Sequence, residues 1–192
     1  MNLNEMILSR RTIRRFRPEP ISTEVLDGLV EAARLAPSAA NRQPCEYIVV
    51  ADPAQAAKVF PLVSWAGYIV PAGNPREGER PMAYIVILIN RSKTPDHGHH
   101  DAASAAMNII YAALAQGIGS CWMGAIDRGR LRILLEVPDN CEIDSLVALG
   151  YPAESPVVEP MQGDSVKYWK DASGVLHVPK RALAEILHRN RY

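Results

Sequence analysis

The chain has 192 residues, 48% hydrophobic and 22% charged, which fits a folded protein with one sizeable core and excludes a disordered chain. Its 21 Lys and Arg balance 21 Asp and Glu, so the net charge is zero and the basic footprint of a nucleic-acid-binding domain is missing. Cys45, Cys121 and Cys141 are far apart and form no CxxC pair, which counts against a disulfide framework or a zinc site and fits a reduced, cytoplasmic setting.

In chain order, residues 2–11 read as a short helix carrying Leu3, Met6, Ile7 and Leu8, with no long apolar run of a secretory signal. SRRTIRRFR follows, with five arginines among residues 9–17. A phosphate needs several converging N–H donors, and arginine carries a fixed fork of them. Taken alone, the run is better read as a solvated charged face. Pro18-Glu-Pro20 stops regular structure, and Ser22 is a good N-cap for a helix over residues 22–36. PSAANRQP at 37–44 is a loop offering Ser38, Asn41 and Gln43 beside the small Ala39 and Ala40. Residues 47–51 read as a buried strand and 53–60 as a helix with proline in its first turn.

Residues 65–81 alternate glycine and proline, which predicts an exposed loop, a candidate lid. Residues 83–90 form the strongest strand, apolar enough to be buried on both faces. In DHGHHDAA at 96–103 the HGHH order lacks a standard metal spacing, so the segment reads as a surface loop leading to an Asp101 helix cap. The helix to about Gln116 is apolar nearly all round and should be central, yet it is too short to span a bilayer. GIGSCWMGAI at 117–126 is GxGxxxxG after a helix, which excludes a dinucleotide-binding phosphate loop. Gly124 there marks close approach to something planar. A helix at 128–136, a strand at 143–150, a proline-rich aperiodic stretch at 151–161 and a short helix at 181–189 complete the chain. No repeat or linker is visible, so residues 1–192 read as one domain of α/β or α+β class.

Several blocks in order resemble the nitroreductase family of flavin enzymes: RRTIRRFRPEPIS, LVEAARLAPSAANRQP, AASAAMNIIYAALAQGIGSCWMGAI, ALGYP and VPKRALAEIL. The resemblance implies an α+β fold with a mixed central sheet flanked by helices, and an intertwined homodimer with FMN at the interface. It implies NADH or NADPH as donor and a nitroaromatic, quinone or flavin acceptor, reached by a ping-pong route. No nucleic acid or membrane partner is implied. Carried over residue by residue, Arg10, Arg11, Thr12 and Arg14 match the N-terminal flavin-binding block, with Arg10 toward the phosphate and Arg14 at the pyrimidine edge. Pro37, Ser38, Ala39 and Asn41 match a loop along the flavin ring, contributed by the partner subunit. Met123 and Gly124 match the backbone near the ring, and Lys180 and Arg181 the C-terminal phosphate ligands, Arg181 being the first candidate. Arg15 and Arg17 fall outside the set and are expected to face water or acidic neighbours. No catalytic side chain and no metal ligand is expected. Cys45 stands where the family usually has tryptophan, and residues 65–81 match no family segment. Alternatives are a flavin-fragmenting or reductive dehalogenating relative and a non-catalytic FMN-binding module.

Overall fold

A computed structural model of the chain describes residues 2–192. Four strands, β1 (Cys45–Val50), β2 (Ala83–Asn90), β3 (Gly119–Met123) and β4 (Cys141–Gly150), form the main sheet in the order β1-β2-β4-β3. Every ladder in it is antiparallel, and its parallel element is an isolated bridge that lays Thr12 beside Ser120 on the β3 edge. Six helices accompany the sheets: α1 (Leu3–Ser9), α2 (Thr23–Arg34), α3 (Pro53–Val59), α4 (His99–Ala115), α5 (Arg128–Leu134) and α6 (Leu183–Ile186). The α+β class expected from the sequence is the one observed.

The sheet carries a core on each face. Ile85, Ile87 and Ile89 of β2 pack with Leu26 and Leu29 of α2 and with Ala102, Ala106 and Ile109 of α4. Tyr84, Val86 and Leu88 face the other way, toward Val59 of α3 and Leu131 of α5. That is why β2 lacks alternation: both of its faces are covered. In α2, Ser22 accepts from the Val25 N–H as an N-cap, and Leu26, Leu29 and Ala33 recur on the buried stripe.

The arginine-rich segment is extended and lies along the β3 and β4 edge. The Ile13 N–H donates to the Ser120 carbonyl at 2.9 Å and the Arg17 N–H to that of Tyr151 at 2.7 Å. Ile13 and the fully buried Phe16 anchor it. Gly119 and Gly150 admit them, because a Cβ at either would lie 2.8 Å from Ile13 or Phe16 respectively.

Several expectations need correction. The central helix begins at His99 with Gly98 as N-cap, so His99 and His100 are helical and Asp101 is not the cap. Residues 65–81 are not simply an exposed loop: Trp65, Ala66, Gly73, Pro75 and Pro81 are buried, and Trp65 stacks on Phe60 at 5.7 Å. Beyond β4 a second sheet forms from β5 (Val157–Pro160), β7 (Leu176–Lys180) and β6 (Trp169–Lys170) in that order, and its β5 lies within the stretch 151–161 expected to be aperiodic. Here β5 runs parallel and β6 antiparallel to β7. The last helix covers only Leu183–Ile186 of the expected 181–189.

Candidate functional site

The five arginines of SRRTIRRFR have different fates. Arg15 pairs with Glu79 at 3.5 Å and Arg17 with Glu19 at 3.2 Å, the acidic neighbours expected for them. Arg11 folds back on α1 and donates to the Leu8 and Arg10 carbonyls at 3.0 and 2.6 Å, satisfying helix-end acceptors. Among the described residues Arg10 and Arg14 form no ion pair. Arg10 is half-buried and lines a cleft of about 340 Å³ with Ile13, Gly119, Ser120, Pro152 and Glu154. The Arg14 guanidinium lies 5.0 Å from the centre of the Tyr168 ring and beside the Cys121 thiol. Burial pushes that thiol up to about 11, against the opposing pull of Arg14, so Cys121 is a protonated packing group and not a nucleophile.

Two residues that the sequence did not single out set this geometry. Glu154 accepts from the backbone N–H groups of Arg14 and Arg15 at 2.6 and 3.2 Å, and Lys170 lies 3.8 Å from its other oxygen. Burial, with Arg15 nearby, lowers the Lys170 pKa. At the end of β3, Met123 is buried and Gly124 exposed, and a Cβ at Gly124 would meet nothing, so the surface there is open. Lys180 and Arg181 are exposed where β7 ends.

The loop over residues 37–44 lies elsewhere. It borders a second cleft of about 250 Å³ with Pro37, Ser38, Gln43, Cys45 and Tyr47 on its wall. The loop is tightly built: Ser38 Oγ accepts from the Gln43 N–H at 2.8 Å, and the buried Asp101 carboxylate accepts from the Ala39 N–H at 2.9 Å. Ala40, Asn41 and Gln43 have φ near +50°. Such left-handed residues cost on the order of 1 kcal/mol each and gather where function demands a shape. Asp101 and burial together push the Cys45 thiol up to about 11.

Within one chain the two clefts cannot share a small ligand. They sit at opposite edges of β1-β2-β4-β3, three strand spacings or roughly 14 Å apart. They also sit at opposite ends, since Cys45 is level with Ile89 whereas Gly119, through Gly150, is level with Ala83. Along β2 that adds roughly 20 Å. The structure therefore brings Arg10, Thr12, Arg14, Met123 and Gly124 to one edge, and Pro37, Ser38, Ala39 and Asn41 to the other. The exposed apolar residues Leu3, Ile7 and Leu8 of α1 and Leu183 and Ile186 of α6 lie uncovered on short helices.

Among the described residues no group of three or more His, Cys, Asp or Glu side chains could hold a metal ion, and no helix is long and apolar enough to cross a membrane. Of the histidines of HGHH, His99 contacts Asp144 at 2.7 Å.

Comparison with known proteins gives a consistent picture. The family model described as Nitroreductase family matches residues 7–151. A protein of Archaeoglobus fulgidus, provisionally named NADH dehydrogenase/NAD(P)H nitroreductase, is 37% identical over 157 residues, covering 78% of this chain and 85% of its own. The 5,6-dimethylbenzimidazole synthase of Rhodobacter capsulatus is 26% identical over 174 residues, covering 78% and 83%. A crystal structure of a provisionally named nitroreductase from Desulfovibrio desulfuricans in complex with FMN superimposes with a TM-score of 0.71 at 26% identity, over 100% of this chain and 99% of that one.

Proposed function

This chain belongs to the nitroreductase family, and we propose on that premise that two copies hold FMN between them, take electrons from NADH or NADPH, and pass them to a nitroaromatic, quinone or flavin-type acceptor by a ping-pong route. The chain is an FMN-dependent oxidoreductase with a nicotinamide donor. The redox chemistry, a hydride in from NAD(P)H and electrons out to an acceptor, is what FMN supplies when bound.

The residues fit that group. The observation that carries the reading is the split within the arginine run: the side chains of Arg15 and Arg17 pair with carboxylates, while among the described residues the guanidinium groups of Arg10 and Arg14 form no ion pair. Arg10 would hold the phosphate as a charged donor, with Arg181 and Lys180 of the C-terminal segment as further candidate donors. Thr12, bridged to Ser120 through its backbone, would offer its hydroxyl as a further donor. Arg14 would supply a cation toward the pyrimidine edge of a bound flavin, where negative charge develops on reduction, and would thereby favour the reduced state. Gly124 and Met123 leave an open backbone surface against which a planar ring can lie. Arg11, with its guanidinium bound to carbonyls of α1, contributes to the wall of the cleft and shapes the turn that aims Arg10.

The second copy supplies what one edge lacks. Its Pro37, Ser38, Ala39 and Asn41 close the ring site, and Asp101 fixes their loop. The uncovered apolar faces of α1 and α6 supply surface for such an association.

The test is the colour and chemistry of the purified protein. Bound flavin absorbance and NAD(P)H oxidation with a quinone are expected; a colourless preparation that takes up no added FMN would sink the reading. Similarity to a dimethylbenzimidazole synthase supports a second reading, oxidative fragmentation of the flavin. Incubation with NAD(P)H under oxygen separates the two, since stoichiometric recovery of intact FMN argues against fragmentation.

A further inference from the structure

Two segments outside the family-like blocks converge on Arg14. One is the turn Gly67–Ile69, which presents Tyr68 within residues 65–81; the other carries Tyr168 just before β6. The two rings meet 5.0 Å apart at a tilt of 56°, and Tyr168 lies over the Arg14 guanidinium at 5.0 Å. A cation on the face of Tyr168 fixes that ring, so Tyr68 packs against an anchored neighbour.

Both tyrosines stand on rigid supports. Below Tyr68, the buried Ala66 is left-handed at φ 39°, and the Ile69 carbonyl accepts from the Gly73 N–H at 2.8 Å. A Cβ at Gly73 would lie 2.3 Å from Ala66 Cβ and 2.8 Å from Ile69 Cγ1, so the turn closes only over glycine. Below Tyr168, Trp169 stacks on His177 at 4.0 Å and 5°, and Lys170 pairs with Glu154, the same carboxylate that grips the Arg14 N–H. Tyr68 nevertheless remains 54% exposed. A large aromatic held rigidly and left open beside a redox-site cation is a stacking surface without an occupant.

We propose that Tyr68, backed by Tyr168 on Arg14, is the specificity-determining wall for electron acceptors, selecting planar aromatic molecules by stacking. The proposal rests on the FMN site described above and deepens it by naming what distinguishes one acceptor from another. It assigns residues 65–81 a role as a fixed wall in place of a mobile lid.

The test uses the FMN-loaded protein reduced with dithionite and mixed with either naphthoquinone, which is planar and aromatic, or ferricyanide, which is compact and not aromatic. For Tyr68→Ala the rate constant with naphthoquinone is expected to fall about 5- to 10-fold, the scale of a lost aromatic pair. With ferricyanide it should stay within about twofold, with flavin content unchanged; Tyr68→Phe, which keeps the ring, should behave as the parent protein does with both acceptors. Equal losses with both acceptors, no loss with either, or release of FMN from Tyr68→Ala would overturn the wall. A parent protein that binds no FMN would instead overturn the site on which the proposal rests.

Discussion

The two edges of the main sheet solve different problems. The β3 edge supplies charge: Arg10 lines a cleft and the Arg14 guanidinium lies over Tyr168, neither side chain in an ion pair among the described residues, on a segment pinned by Ile13 and Phe16. The β1 edge supplies shape: three left-handed residues in a loop tied down by Ser38 and Asp101, with no arginine of the N-terminal run near it. On the proposed reading each is half of a site. Charge without a cover leaves a flavin ring in water, and the shaped loop, although Arg34 and Lys93 line its cleft, lacks the guanidinium groups of Arg10 and Arg14. Placing them at opposite corners of one sheet lets a symmetric pair of chains join each half to the other twice.

The largest expected effect breaks the β3 edge as a structure. Phe16 is fully buried against Gly150, so Phe16→Ala should cost about 3–5 kcal/mol, read as a lower denaturant midpoint. Next, Arg10→Ala should weaken FMN binding roughly 10- to 100-fold by flavin fluorescence titration, the scale of lost charge-assisted hydrogen bonds. Arg17→Ala should change it less than about twofold, because Arg17 serves a surface ion pair with Glu19. Equal effects would mean the arginine run is not divided as the ion pairs indicate. On the β1 edge, Asp101→Ala leaves the Ala39 N–H without its acceptor. It should destabilise the chain by about 1–3 kcal/mol and weaken FMN binding with it. If stability falls while FMN affinity holds, the loop is no part of the site.

The smallest effect concerns the sheet of β5, β6 and β7, which belongs to neither edge but carries Tyr168 and Lys170. The Glu159 carboxylate 2.9 Å from His177, helped by Asp171, raises the His177 pKa. A raised folded-state value means the stabilisation is complete below the unfolded value of about 6.5 and is lost as pH rises through the folded one. Melting curves of the parent and of His177→Gln should therefore differ most at mildly acid pH and converge as pH rises. A gap that widens with pH would contradict the pairing.

Parts of this were legible in the sequence because they are local. The run Ala83–Asn90 could be read end to end, since an unbroken apolar segment flanked by turns has few other meanings. The loop of 37–44 was visible from its proline and polar composition, and the division of the arginines followed from the ordered family-like blocks. What stayed hidden is long-range. Asp101 reads as a helix cap, and nothing local says that its carboxylate is turned to Ala39, 62 residues away. Glu154 holds Arg14 across 140 residues, and Tyr68 meets Tyr168 across a similar span. The second sheet escaped notice because β6 is two residues long and β5 lies mostly exposed in a proline-rich stretch, where neither alternation nor an apolar run develops.

The central claim is that each of two FMN molecules lies between two copies of the chain, one copy giving the β3 edge and the other the β1 edge. Sedimentation velocity of the FMN-loaded protein, recorded at the flavin absorption band across a dilution series, tests it directly. The account predicts that bound flavin moves only with the dimer boundary and is released as the dimer dissociates. Flavin sedimenting with a monomer would contradict it.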